Sequence, residues 1–128
     1  MLKPHTPLSL HPPFAKYSHG VEVPPGARLL FASGQLGITR DKHVPDDARG
    51  QAELCFKALD AILASAGMTF KDVVRINAFV TDRAYLKDYM AIRDLYVAEP
   101  PPASTLMIVS GFAAEIYKVE VEIVAAAP

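Results

Sequence analysis

The stretch Lys71-Asp72-Val73-Val74-Arg75-Ile76-Asn77-Ala78-Phe79-Val80-Thr81 decides the fold. Successive side chains of an extended chain point to opposite faces, so Val74, Ile76, Ala78 and Val80 fall on one side and Arg75, Asn77, Phe79 and Thr81 on the other. One side is core and the other is mixed. The period changes on both flanks. Upstream, residues 48–66 carry Leu54, Ala58 and Ile62 beside Cys55, Leu59 and Ala66, the broad apolar stripe of a helix, with Asp46 or Asp47 as N-cap and Gly67 closing it. Downstream, residues 82–97 place Tyr85, Tyr89, Ile92 and Tyr96 on one side until the run Pro100-Pro101-Pro102 stops the helix.

Further out, the turn signal Pro24-Pro25-Gly26 precedes a strand at 28–36, and a short strand at 18–23 is expected to pair with it across that turn. Two more strands are expected at 104–110 and 117–125, with a loop at 111–116. The order strand, strand, helix, strand, helix, strand, strand is that of an α+β domain, a mixed sheet with both helices on one face. The other face then meets water or another subunit. It carries Arg75, Asn77 and Phe79, joined by Glu120 and Glu122 if Val119, Val121 and Ile123 pack beneath the helices.

A length of 128 residues sets a single domain, 1–128, in which residues 1–15 form a Pro-rich N-terminal segment. The 51% hydrophobic share stands slightly above the ~45–50% usual for soluble domains, a surplus that suits a subunit interface. Thirteen basic against fourteen acidic residues, with no cationic run, make no footprint for a phosphate backbone, so nucleic acid is excluded as the expected partner. No apolar stretch approaches the ~20 residues of a membrane helix, and the prolines before residue 16 interrupt any export signal. With Cys55 alone no intrachain disulfide forms, and the cytoplasm is the expected location.

His5, His11, His19 and His43 lack the spacing of a zinc site, so no metal is expected. Cys55 on an apolar stripe reads as a buried, inert thiol. Ser33-Gly34-Gln35 at a strand end offers either a backbone amide to a ligand or close packing. Glu120 and Glu122, two apart on one face, form either a proton carrier, one carboxylate raising the pKa of the other, or a solvated strand edge. Arg93, on or beside the apolar stripe of the second helix, needs a partner there: an acid of its own protomer, a neighbouring subunit or an anionic ligand.

In order along the chain, residues 15–21 (Ala-Lys-Tyr-Ser-His-Gly-Val), 30–35 (Leu-Phe-Ala-Ser-Gly-Gln), 51–67, Asp72-Val73-Val74, 79–82 (Phe-Val-Thr-Asp), 101–105 (Pro-Pro-Ala-Ser-Thr) and 119–122 (Val-Glu-Val-Glu) resemble the RidA (YjgF) family. The resemblance runs from about residue 13 to 125. It implies a chorismate-mutase-like protomer, ferredoxin-like in layout, and a homotrimer whose sheets form a central barrel with ligand clefts between subunits. It also implies hydrolysis of reactive enamine and imine intermediates, such as 2-aminoacrylate, to keto acids and ammonia, without metal or cofactor.

Residue by residue, the resemblance assigns the cleft tyrosine to Tyr17, the strand-end glycine to Gly34 and the acid that positions or activates water to Glu120. The family arginine that clamps a substrate carboxylate stands in a Pro-Ala-Arg-Ser/Thr motif, and here Ser104 takes its place before Thr105. A serine hydroxyl replaces neither the charge nor the fork of a guanidinium. The chain therefore resembles an arginine-lacking subgroup. Arg93, near where typical members have an asparagine, is expected to restore part of the charge, unless an acid of its own protomer away from the cleft occupies it.

The expected function is imine or enamine hydrolysis, with Glu120 activating water, Tyr17, Ser104 and Thr105 as substrate hydrogen-bonders and Gly34 giving backbone contacts. The alternative is a non-catalytic small-molecule binder or regulatory trimer. The family's older label of ribonuclease is opposed by the charge balance.

Overall fold

The computed structural model describes residues 1–128. The elements run β1 (Lys3–His5), β2 (Gly20–Glu22), β3 (Arg28–Leu36), α1 (Ala48–Ser65), β4 (Val73–Val80), α2 (Leu86–Tyr96), β5 (Ala103–Ile108) and β6 (Val119–Ala127), with single 3-10 turns at Phe70–Asp72 and Arg83–Tyr85. The main sheet has the order β3-β6-β4-β5. Its β4–β5 pair is parallel and bridged by α2, the crossover that a parallel pair requires, while the other two pairs are antiparallel.

α1 starts where the Asp47 side chain accepts from Gly50 N–H at 3.3 Å, and it ends before Gly67, whose φ of +69° is left-handed. The helix buries Ala48, Gln51, Ala52, Cys55, Phe56, Leu59 and Leu63. Leu54, Ala58 and Ile62, expected within the stripe, lie half-buried at its margin. Phe56 stacks on Tyr96 at 5.2 Å and meets Phe70 and Tyr89 at 6.0 and 5.9 Å, so an aromatic group joins α1 to α2. Beneath the helices lie Ile76, Ala78, Val80, Val119, Val121, Ile123 and Ala125, the buried alternate set of the two central strands.

Two local expectations are corrected. β2 pairs with β1, in a separate two-stranded sheet, and not with β3. The link between them runs over the five residues 23–27, and Pro24 and Pro25 have no backbone N–H with which to extend a ladder from β2 to β3. The alternation of 71–81 also slips at its start: a bulge between Val73 and Arg75 buries Val73 and leaves Val74 half-buried.

The helix-free face is as expected. Arg75, Asn77 and Phe79 of β4 lie beside Val124, Glu122 and Glu120 of β6, in register. Phe31, opposite Val124, is 71% exposed and Leu29 55%, so this face is both apolar and bare in a single protomer. No helix is long and apolar enough to cross a membrane.

Candidate functional site

Glu120 and Gly34 are brought together. β3 pairs with β6 through Leu36↔Glu120 and Gln35↔Val121, and the register then shifts across Ser33 and Gly34. At this irregularity the Glu120 side chain lies directly over the glycine: a Cβ on Gly34 would stand 2.5 Å from Glu120 Oε2 and 2.8 Å from Cδ. Glu120 is half-buried, and neither of its carboxylate oxygens takes part in a hydrogen bond or ion pair of the chain. Its acceptor capacity is open to a water or ligand.

A buried amide sets the two strands around this carboxylate. Gln51, fully buried on α1, donates from Nε2 to Pro45 O (2.8 Å) and Ile116 O (2.9 Å), and its Oε1 accepts from Lys118 N–H (2.7 Å). Gly37, just beyond β3, packs on its backbone: a Cβ there would lie 2.5 Å from Gln51 Cα. Sequence reasoning missed Gln51. The signal was present, since a lone amide at helical spacing from Ala48 and Cys55 sits on the apolar stripe and must be bonded when buried.

Tyr17, Ser104 and Thr105 form a second group, on the β5 edge of the sheet. Ser18 bridges to Ala103, its N–H donates to Pro102 O at 2.9 Å and its hydroxyl to Pro101 O at 2.6 Å, fixing Tyr17 beside the start of β5. The Tyr17 hydroxyl accepts from Phe14 N–H at 3.2 Å, and its ring meets His19 edge-on at 5.9 Å. Ser104 pairs with Ile76 and so turns to the helix side of β5, whereas Thr105 pairs with Asn77 and turns to the open face. There the Thr105 hydroxyl accepts from Arg75 Nη2 at 2.5 Å, and Asn77 Oδ1 accepts from Arg75 Nε at 2.9 Å.

Because β3 and β5 are opposite edges of the four-stranded sheet, the Gly34–Glu120 pair and the Tyr17–Ser104–Thr105 group do not meet within one protomer. Arg93 joins neither. It is 3% exposed in the helix layer, where Nε and Nη2 donate to Asp94 Oδ1 at 3.1 and 3.0 Å and the guanidinium lies 5.8 Å from the Tyr89 ring centre. The acid of its own protomer takes it, away from the open face, and the expectation that it restores the charge missing at Ser104 is set aside.

Cys55 is buried, and burial followed by the nearby Glu120 charge pushes its thiol up to about 12. It is the neutral, unreactive side chain expected of that position. A cavity of about 260 Å³ opens between the N-terminal segment and the proline run, lined by Leu2, Val21, Lys71, Glu99 and Pro101 among others. It touches neither Glu120 nor Gly34, and the polar chemistry lies on the open face instead.

Residues 9–127 match the family model described as endoribonuclease L-PSP. The RutC family protein YjgH of Escherichia coli K12 is 32% identical over 124 residues, covering 95% of this chain and 92% of that protein. A protein of the same bacterium named as the putative reactive intermediate deaminase TdcF is 30% identical over 81 residues, covering 62% and 58%. Among solved structures, the Yersinia pestis protein YyfB, described as a conserved Rid family member of unknown function, superposes with a TM-score of 0.88 at 28% identity, covering 98% of each chain.

Proposed function

The chain belongs to the RidA (YjgF) family, and from that premise we propose that it is a homotrimer of the cytoplasm that hydrolyses the C=N bond of a small carboxylated imine or enamine, giving a carbonyl compound and ammonia. The observation that carries this reading is the Glu120 carboxylate folded over Gly34 on the helix-free face, with no hydrogen bond or ion pair to the protein. A general base needs that freedom and must lie within hydrogen-bond reach of the water it activates.

In the proposed reaction an enamine first tautomerises to its imine. Glu120 takes a proton from water as the oxygen bonds to the imine carbon, and the C=N π pair moves to nitrogen, which is protonated. The resulting carbinolamine loses ammonia as its hydroxyl proton departs and the C=O bond forms. One water is consumed, one ammonia is released, and no electron donor or acceptor is needed. The Gly34 region supplies backbone contacts and Tyr17 and Thr105 hydrogen-bond the substrate, while Ser104, expected beside them, turns to the helix side of β5 and is left out of this open-face site.

The edges of the sheet support this assembly. With Glu120 beside β3, Thr105 on β5 and Tyr17 held beside the start of β5 by Ser18, a cyclic arrangement that sets the β3 edge of one protomer against the β5 edge of the next would complete the site between subunits. The exposed Leu29, Phe31 and Met107 then find cover.

The test is ammonia and keto-acid release from freshly generated 2-aminoacrylate, with the mass of the native particle measured in parallel. Turnover above buffer that Glu120→Gln removes supports the reading. Release equal to buffer in both proteins overturns it in favour of a non-catalytic small-molecule binder, the alternative that Ser104 in place of the family arginine favours.

A further inference from the structure

We propose that His19 is the general acid of the reaction, delivering a proton from Nδ1 to the imine nitrogen while Glu120 takes one from water. This deepens the hydrolase reading and rests on it.

The hydrolysis needs a proton donor for nitrogen, and a carboxylate that is accepting the proton of water cannot supply one in the same step. Tyr17, which the proposed reaction places at the substrate, meets the His19 ring edge-on at 5.9 Å. The two residues flank Ser18, whose N–H and hydroxyl are tied to Pro102 O and Pro101 O, so one anchor positions both rings. Of the four histidines only His19 is half-buried. His5, His11 and His43 are exposed, and His5 is engaged by Glu22.

Its hydrogen bonding leaves one nitrogen for chemistry. His19 Nε2 lies 2.7 Å from His11 O. A backbone carbonyl can only accept, so Nε2 carries a hydrogen in the neutral ring and in the imidazolium alike. The proton that comes and goes is therefore the one on Nδ1, which takes part in no hydrogen bond or ion pair of the chain. The His11 carbonyl holds the ring in orientation, as the partner of a catalytic imidazole must.

The proton count closes. As the water oxygen bonds to the imine carbon, the C=N π pair takes the Nδ1 proton and becomes an N–H bond, leaving His19 neutral and Glu120 protonated. Glu120 then returns its proton to nitrogen, the C–N bond breaks as ammonia leaves, and Nδ1 takes the hydroxyl proton as C=O forms. Both side chains end as they began.

Chemical rescue tests this. Keto-acid release from freshly generated 2-aminoacrylate is measured for wild type, His19→Gln and His19→Ala, the last with added imidazole or with pyrazole, which has the same shape but is far less basic; native mass and circular dichroism serve as controls. A fall in kcat of about a hundredfold in both variants, with KM little changed and with His19→Ala restored by imidazole and not by pyrazole, supports the inference. In the wild type, 15N NMR should show the neutral His19 ring protonated at Nε2. Turnover retained in His19→Gln, restoration of His19→Ala by neither azole or equally by both, or a neutral ring protonated at Nδ1 overturns the inference and leaves the hydrolase reading standing. Release equal to buffer in the wild type overturns both.

Discussion

The Glu120 carboxylate rests on the backbone of Gly34, with no room for a Cβ between them: Oε2 would lie 2.5 Å from it and Cγ 3.0 Å. Since the obstructing atoms belong to a flexible side chain, Gly34→Ala is absorbed by swinging Glu120 aside rather than by moving a strand. We expect folding stability to change by only about 1 kcal/mol, while the proposed hydrolysis of 2-aminoacrylate falls at least tenfold. Thermal unfolding and ammonia release, measured on one preparation, check this. Unchanged turnover makes the contact mere packing.

Gly37 presents the opposite case. A Cβ there meets Gln51 Cα at 2.5 Å and Gln51 O at 2.8 Å, which are backbone atoms of α1 and cannot rotate away. Gly37→Ala must push the helix off the end of β3, and overpacking of this kind costs about 2–3 kcal/mol. Urea denaturation should therefore place Gly37→Ala well below Gly34→Ala in midpoint, although the two glycines are near neighbours.

Gln51→Leu keeps the side-chain bulk but leaves Pro45 O, Ile116 O and Lys118 N–H without their partner. Ile116 is exposed and Pro45 and Lys118 are only half-buried, so water can reach part of the freed groups and a loss of about 1–3 kcal/mol is expected. Hydrogen exchange at the Lys118 amide should accelerate more than exchange in the centre of β4. Uniform acceleration would show that Gln51 stabilises the whole domain without setting the start of β6.

Much of this architecture is legible in one dimension because it follows from short-range periods. The alternation of Ile76, Ala78 and Val80 against Arg75, Asn77 and Phe79 separates the two faces of β4, and the apolar spacings on either side mark α1 and α2. What escapes depends on register. The bulge that buries Val73 rather than Val74 is set by β6. β1 has three exposed residues, one of them proline, and so carries no alternation to detect. The candidate site divides in the same way. Glu120 and Gly34 are recognisable by family resemblance, but their apposition comes from the pairing of β3 with β6. Arg93 satisfies itself with the adjacent Asp94, and the Arg75–Thr105 hydrogen bond needs β5 to bring Thr105 alongside β4.

Cys55 gives the last test, and its sign follows from burial. Desolvation, with the Glu120 charge second, raises the thiol from 9.0 to about 12, while a backbone hydrogen bond opposes the shift. A folded-state pKa above the unfolded value means that the unfolded chain releases its proton first as pH rises. The stabilisation is therefore complete below pH 9.0 and is lost between there and about 12, at up to about 1.4 kcal/mol per pH unit from this group. The Tyr89 phenol, raised from 10.0 by its own burial, adds to the loss at the alkaline end. Urea midpoints for wild type and Cys55→Ala should run parallel from pH 7 to 8 and converge above pH 9.5, where only the wild type has a thiol to lose. At pH 8 a disulfide reagent should label the thiol no faster than the protein unfolds. Prompt labelling of the native protein would place Cys55 within reach of solvent and remove the burial that this pH dependence requires.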